Sequence, residues 1–440
     1  MSACARRFEE FAEVISSLFH VQGHDLGAHA RSYISSLLSH VPRKNIERFA
    51  EEFGGIDYQN LQQFISDSPW ECGPVWKYIA GKTGTLFQGP APRMLLIDES
   101  SFPKKGDRSA GVSRQYCGRL GKTENCQVGV FSALCQDDQA LLTGARLYLP
   151  EEWTEDAKRC EKAGIPEEDR AFATKNELAW QLIQEAEANG MKFDWVGADA
   201  AYGRDQDLLL KIAGMGKTFV MDVDVTQKVW QAKPKGTMRP PAVGKSGACE
   251  VSSIWNRSRG KAVEIELRTA ENGTVSVEFW ATQVWIWPKA CEIPLEVWLL
   301  MAQRSNGEMK YSLCNAGTET PFEELAKRQG QRYFVERVFE DAKSQLGMGE
   351  YQVRKWRGWH HHMALVGMAM SFALEERLRL EPGNPLISTR DVVDMVAWYF
   401  QEERSAADVE ARIMARHRRR RLAMECKYRR EARRKKDLTM

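Results

Sequence analysis

None of the ten cysteines of this 440-residue chain forms a C-x-x-C pair with another. A structural zinc site of the usual spacing is therefore not expected, and scattered thiols point to a reducing compartment. Cys117, Cys126 and Cys135 are evenly spaced and are expected simply to pack as small hydrophobes. No apolar run reaches the 18 or more residues of a membrane span; the longest, Met363 to Leu374, contains Gly367 and Ser371. The first residues carry Arg6, Arg7, Glu9 and Glu10 in place of a signal-peptide apolar core, so a soluble, cytoplasmic protein with no membrane partner is expected. There is no internal repeat. A hydrophobic share of 43% and a charged share of 28% exclude a disordered or collagen-like chain, and the length suits two or three folded units.

There is also almost no net charge, only +2, but this balance hides an asymmetry. Arg412 to Lys436 holds thirteen Lys and Arg against Glu425 and Glu431, a local charge of +11. A block of this kind is the electrostatic footprint of a polyanion partner. Residues 1–85, by contrast, hold eight basic and ten acidic side chains, so DNA end binding and dimerisation or packing are equally open to them.

Periodicity divides the chain. Ile46, Phe49, Ala50 and Phe53 fall on one helical face, with Gly54-Gly55 as a stop. Ser68-Pro69-Trp70-Glu71 has the spacing of a capping box with proline at the first helical position. From Arg93 strands alternate with helices: Met94–Ile97, Cys126–Leu134, Ala140–Leu149, Trp195–Ala198 and Thr218–Val223 are strand candidates. Lys175–Ala188, closed by Asn189-Gly190, and Asp205–Ala213 are helix candidates. This texture predicts a mixed α/β sheet. A Pro/Gly/Lys linker (231–248) leads into a β-rich segment with a hairpin turn at Glu271-Asn272-Gly273. From Pro321 the chain is helical through Leu378, and a last helix spans Thr389–Phe400. The expected units are 1–88 (N-terminal helical), 89–223 and 317–380 (two parts of the core), 224–316 (β-rich insertion) and 381–440 (helix and basic tail).

Asp98 and Asp199 each follow an apolar strand. A side chain there projects into the crevice at the sheet's C-terminal edge, where open α/β sheets place their sites. A partly dry carboxylate is costly to ionise without a cation beside it. Two converging carboxylates make a hard-oxygen site suited to Mg²⁺ or Mn²⁺. In Gln331–Gly347, Arg332, Glu336 and Lys343 lie at i, i+4 and i+11, within about 60° of one another on a helix. Val335, Val338, Phe339 and Ala342 provide its docking face. A carboxylate between two cations, aimed at such an edge, suits phosphodiester chemistry. Asp194 and Glu99 rank below these, the first because it precedes its strand, the second because it points to the other face.

The ordered block Leu95-Leu96-Ile97-Asp98-Glu99-Ser100-Ser101-Phe102-Pro103-Lys104-Lys105-Gly106, with Arg114-Gln115-Tyr116-Cys117-Gly118 and Asn125-Cys126-Gln127-Val128-Gly129-Val130, resembles insertion-sequence transposases of the DDE superfamily. So do Gly197-Ala198-Asp199-Ala200-Ala201-Tyr202-Gly203 and Glu336-x-x-Phe339-x-x-Ala342-Lys343. The closest likeness is to the seven-hundred-and-one family, over roughly residues 30–375. The resemblance implies an RNase H-like core, a mixed sheet flanked by helices, interrupted by the β-rich insertion. It implies a triad of Asp98, Asp199 and Glu336 holding two Mg²⁺ (or Mn²⁺) ions, cleavage at transposon ends, and joining of the freed 3′-hydroxyl to target DNA. It further implies a homodimer on DNA. The signature Tyr-x2-Arg-x3-Glu-x6-Lys matches at Arg332, Glu336 and Lys343, while Gln329 stands at the tyrosine position.

Further DNA contacts are expected from Lys104, Lys105, Arg108, Arg114, Arg119 and Lys122 in the glycine-rich segment after Asp98. Arg354, Lys355 and Arg357, interleaved with Trp356 and Trp359, are a second such group. Trp285, Trp287 and Trp298 are candidates for stacking on a flipped base, with core packing the more ordinary fate of each. His360-His361-His362 cannot all face one way on a helix and are expected to serve packing and phosphate contacts. Two other functions stay open at this level: a DNA-binding protein without catalysis, and a nuclease that cuts without joining.

If the basic block touches DNA, removing residues 412–440 should flatten the slope of log affinity against log salt, since each phosphate neutralised contributes roughly 0.9 to that slope. An unchanged slope in a titration of the shortened protein would assign the block no role in binding.

Overall fold

A computed structural model describes residues 2–400 except 22, 54–55, 236–246, 271–272 and 384–386, together with scattered positions between 413 and 432. The basic block and the Glu271-Asn272 turn thus lie largely outside the described residues. Ten strands form one mixed sheet: β1 (Met94–Pro103), β2 (Ser113–Cys117), β3 (Lys122–Gln136), β4 (Gln139–Leu147), β5 (Trp195–Ala198), β6 (Thr218–Asp222), β7 (Val263–Ala270), β8 (Gly273–Ile286), β9 (Leu295–Arg304) and β10 (Met309–Cys314). Their order is β7-β8-β9-β10-β6-β5-β1-β3-β2, with β4 also paired to β3. Only β1, β5 and β6 run parallel to one another; every other pairing is antiparallel.

The three parallel strands read as continuous apolar runs because both of their faces are covered. Met94, Leu95, Leu96 and Ile97 are buried, as are Trp195 to Ala198 and Phe219 to Met221. The long β3 divides its length: Lys122–Cys126 pairs with β2, and Gly129–Gln136 pairs with β4. The β-rich segment does not stand apart as a separate layer. Its last strand, β10, hydrogen-bonds to β6 through Ser312 with Asp222 and Leu313 with Met221, so β7–β10 continue the core sheet.

Helix Lys175–Ala188 has the expected bounds, with a Thr174/Glu177 capping box and Gly190 at φ +77°. Gln206–Gly214 is capped by Asp205, whose carboxylate accepts from two backbone amides. Ser68-Pro69-Trp70-Glu71, in contrast, does not open a helix. The next helix begins at Cys72 and has no side-chain cap. The segment turns so that Trp70 is buried: its indole N–H donates to the Phe64 carbonyl (3.0 Å), and its ring stacks on His361 at 3.6 Å. Burial of a large aromatic outweighs one cap of about 1 kcal/mol here.

The helical stretch after Pro321 is three helices, Phe322–Gln331, Tyr333–Ser344 and Trp356–Leu380. The last is buried along most of its length, and the N-terminal helices pack around it. Phe8 meets Phe372 edge-on at 5.3 Å, Tyr33 hydrogen-bonds His362 (2.9 Å), and Arg7 pairs with the buried Glu376. Residues 1–88 therefore share one hydrophobic core with the sheet. Among the described residues no helix is long and apolar enough to cross a membrane.

Gly203 fixes how closely the turn after β5 approaches β6. A methyl group there would lie 2.0 Å from the backbone oxygen of Asp222, and backbone cannot swing aside as a side-chain tip can. Gly203→Ala should lower unfolding stability by about 1–3 kcal/mol, the usual cost of overpacking. Equilibrium urea denaturation checks this; an unchanged midpoint would show that the turn tolerates the displacement.

Candidate active site

Strand register builds the site. β1 pairs with β5 in parallel from Met94 with Trp195 to Ile97 with Ala198. The next residue on each strand is an aspartate, so Asp98 and Asp199 emerge side by side. Asp98 is not the end of its strand, as its apolar run suggested, because antiparallel pairing with β3 carries β1 on to Pro103. It is β5 that stops, and Asp199 becomes the N-cap of a short helix, its carboxylate accepting from the Ala201 amide (2.9 Å). Glu99, on the opposite face of β1, pairs with Lys175 at 2.5 Å and is withdrawn from the pair.

The side chain of Asp98 is only 13% exposed, and one oxygen accepts from the Glu99 amide at 2.7 Å. Burial, and then the neighbouring charge of Asp199, push its pKa up to about 7; Arg332 and the Glu99 amide pull the other way. Two acidic groups are thus held where water cannot fully screen them. Nearby, the Tyr202 hydroxyl is buried with no hydrogen-bond partner among the described residues, and burial beside Glu99, Asp98 and Asp199 holds its pKa far above the ordinary value. A buried hydroxyl without a partner is costly, and a hydrated ion at the aspartates would supply one.

Arg332 is the hub of the site. It is not part of one helix with Glu336 and Lys343, as the spacing suggested, but forms the junction between Phe322–Gln331 and Tyr333–Ser344. From there its guanidinium reaches Asp98 (3.6 Å), Glu336 (3.5 Å) and Asp222 (2.7 Å). It is itself largely buried, and the acids around it raise its pKa against the effect of that burial. Glu336 is 56% exposed and touches the cluster through Arg332. Among the described residues no three His, Cys, Asp or Glu side chains are gathered closely enough to hold a metal ion as they stand. The donor chemistry nevertheless fits a hard divalent cation: oxygen donors only, two of them adjacent and one short of charge compensation.

Lys343, seven residues further along the same helix, is partly buried with its ammonium 5.6 Å from the Phe339 ring. Burial and then Arg119 lower its pKa, while Asp98 opposes them, which brings Lys343, Arg119 and Asp98 into one electrostatic neighbourhood.

The other basic candidates fall into two places. Arg114, Arg119 and Lys122 are exposed on the β2–β3 hairpin, Lys122 paired with Glu124 at 3.4 Å. Lys104, Lys105, Arg108, Arg354 and Lys355 line a groove of about 970 Å³ between that end of β1, residues 351–355 and the helix Tyr58–Ser66. Lys104 lies 3.5 Å over the Tyr351 ring, and burial lowers its pKa to about 7. Lys355 pairs with Asp67, and Arg357 donates to the Asp67 carbonyl at 3.3 Å.

Trp287 and Trp298 are core residues with their indole N–H groups bonded to the carbonyls of Cys291 and Gly317; Trp285 is half-buried with Lys233 at 5.3 Å from its ring. Of the three histidines, His361 and His362 are buried and His360 is half-buried. His361 lies between the Ile65 and Trp70 carbonyls, its neutral ring able to donate to one of them, His362 meets Tyr33, and His360 faces the Trp356 carbonyl. Cys117, Cys126 and Cys135 are buried, free thiols, as expected.

Two residues of the site escaped sequence reasoning. Asp222 ends β6 as Asp199 follows β5, and that shared position was the available signal. Ser312, wholly buried on β10, donates to Asp222 at 2.7 Å; nothing in its local sequence marks it.

Comparison with known proteins agrees with this geometry. The family described as DDE superfamily endonuclease matches residues 19–266, which include Asp98 and Asp199, and the transposase DDE domain matches 173–372, which include Asp199 and Glu336. Over 189 residues the chain is 30% identical to the probable transposase for insertion sequence element IS701 of Microchaete diplosiphon. That match covers 42% of this chain and 43% of the relative, so it spans less than half of the relative's length. Among solved structures, the NurA nuclease from Sulfolobus solfataricus aligns with 68% of this chain and 86% of its own, at 9% identity and a TM-score of 0.29, a likeness too loose to support any conclusion. The resemblance seen in the motifs is thereby borne out, and with the first match spanning more than half of its length, the chain belongs to the DDE superfamily of endonucleases.

Proposed function

We propose that this protein is an insertion-sequence transposase that cuts transposon ends and joins them to target DNA by two-metal phosphoryl transfer, in a cut-and-paste manner and as a dimer on DNA. The observation that carries the proposal is the emergence of Asp98 and Asp199 side by side from parallel strands, with Arg332 linking Asp98 to Glu336. The relative over the matched segment is itself named a probable transposase.

Asp98, Asp199 and Glu336 would hold the ions, Mg²⁺ or Mn²⁺, which when bound activate a water or 3′-hydroxyl and stabilise the leaving oxygen. Asp98 and Asp199 supply adjacent carboxylates on a rigid sheet edge. Glu336, on a helix and more exposed, closes the third side. Arg332 and Lys343 place positive charge beside the scissile phosphate and hold the DNA backbone in line. The groove cations Lys104, Lys105, Arg354 and Lys355 and the hairpin cations Arg114, Arg119 and Lys122 would track flanking phosphates, with Arg357 at the groove's margin.

Asp98→Ala, Asp199→Ala and Glu336→Ala should each reduce cleavage of labelled transposon ends in Mg²⁺ by at least about a thousandfold, the scale of losing a reacting-centre electrostatic group. End binding in a mobility-shift assay should persist. Undiminished cutting by any one of them removes that residue from the site. Joined products on a supercoiled target distinguish a transposase from a nuclease that only cuts.

Lys104 offers a pH test away from the carboxylates. With its pKa lowered to about 7, it carries charge below that pH and loses it above. The affinity advantage of the parent over Lys104→Met for DNA should therefore shrink as pH rises from 6 to 8. A constant ratio across that range would place Lys104 outside the DNA contact.

A further inference from the structure

At the position where the family signature has tyrosine, this chain has Gln329, and the structure shows where that side chain goes. Gln329 is 3% exposed, on the helix Phe322–Gln331, and its amide donates to the Ser312 hydroxyl at 2.8 Å. Ser312 in turn gives its only hydroxyl proton to Asp222, at 2.7 Å. The other oxygen of Asp222 faces the Nε of Arg332 at 2.7 Å, with the Lys310 ammonium at 4.0 Å. Arg332 extends the line to Asp98 and Glu336. Ser312 donates to one oxygen of Asp222, and Arg332 makes its closest charge contact with the other, an ion pair whose Nε–H is not aligned as a hydrogen bond.

We propose that Asp222 is a positioning residue for the candidate active site: held by Gln329 and Ser312, it anchors the Arg332 guanidinium beside Asp98 and Glu336 and keeps it from closing on them. The proposal rests on the reading of Asp98 and Asp199 as the centre of that site. Three features support it. Asp222 closes the third parallel strand, so the sheet register sets its place relative to the two aspartates. Its Oδ1 is committed to a hydroxyl and its Oδ2 to a guanidinium, which leaves it poorly suited to be an ion ligand and well suited to hold a cation. The contact to Arg332 is also the shortest of that guanidinium's three, 2.7 Å against 3.5 and 3.6 Å. The closest charge contact is therefore on the side away from the carboxylates that would receive an ion, while the Nη2–H donates to Glu336.

Without the Asp222 charge, Arg332 has Asp98 and Glu336 as its remaining anionic partners. It would settle on them and compete with a divalent ion for the same oxygens. Gln329 thus acts inside the protein, one hydrogen bond further from Asp222 than Ser312. Gln329 and Ser312 are each hydrogen-bonded within the relay, and Arg332 closes it by charge contact.

The test uses the full-length protein and two measurements. Mn²⁺ affinity without DNA is read by water-proton relaxation, and cleavage kinetics are read on labelled ends. Asp222→Asn, nearly isosteric, should weaken Mn²⁺ binding by about tenfold, the scale of one charged hydrogen bond, and lower kcat with KM for DNA unchanged. Ser312→Ala should do the same to a smaller degree. Adding Arg332→Gln to Asp222→Asn should restore Mn²⁺ affinity while cleavage stays low, because the competing cation is gone but so is the phosphate contact. Thermal melting of each variant establishes that it is folded. Parental Mn²⁺ affinity and kcat in folded Asp222→Asn, or no recovery in the double variant, overturns the role of Asp222. If Asp98→Ala instead cleaves like the parent, the reading of the site itself has failed.

Discussion

Two carboxylates side by side at the ends of parallel strands are an unfavourable arrangement, and much of this structure is organised around it. Sheet register leaves Asp98 and Asp199 no freedom to diverge, since the strands beneath them are pinned by buried apolar residues on both faces. Burial of Asp98 and the charge of Asp199 raise the Asp98 pKa to about 7, so its ionisation calls for compensating positive charge. Arg332 supplies part of it, and Asp222 keeps that cation at the edge of the pair. A site left short of positive charge in this way favours divalent ions and phosphate-binding cations, the components that phosphodiester chemistry needs.

The continuation of the sheet through β7–β10 bears on the same site. Because β10 pairs with β6, Ser312 comes beside Asp222, and the helix that follows β10 brings Gln329 and Arg332 back over the sheet edge. The β-rich segment is thus mechanically continuous with the candidate active site. On the other side, the N-terminal helices and the Trp356–Leu380 helix share one core, and the groove between them and the far end of β1 gathers Lys104, Lys105, Arg354 and Lys355. Charges distant in the chain are brought to one wall by packing of uncharged aromatics such as Trp70 and Tyr351.

Several of the polar residues that the core admits are matched by partners from distant segments. His361 lies between two carbonyls, Glu376 is matched by Arg7, and Gln127 bridges the Ala110 carbonyl and the Tyr351 hydroxyl. Each of these spans segments far apart in sequence. Their partners hold the N-terminal helices and the glycine-rich loop after β1 in register with the sheet, where an apolar residue would allow sliding.

Local pattern was enough for the strands and most helices, because a run such as Met94–Ile97 or Trp195–Ala198 has one favourable fate, burial in a sheet, and Thr174 with Glu177 states a helix start outright. The ordered motifs around Asp98, Asp199 and Glu336 likewise sufficed for the family. Where one residue's role depends on distant ones, the chain alone was silent or misleading. Trp70 looked like part of a helix start and is a core anchor; Arg332 looked like one position on a continuous helical face and is a junction reaching three acids. Of the three histidines, expected to serve packing and phosphate contacts, His361 and His362 are enclosed and His360 is half-buried. Ser312 carried no mark, and Asp222 only its place at the end of an apolar strand, because their importance comes from β10 pairing with β6, some ninety residues apart. Sequence by itself determined which segments must hide from water and which acidic side chains follow them. Only the tertiary structure decided which charges meet, because the strength of a charge contact depends on distance and on the exclusion of water, and neither exists until the strands have paired.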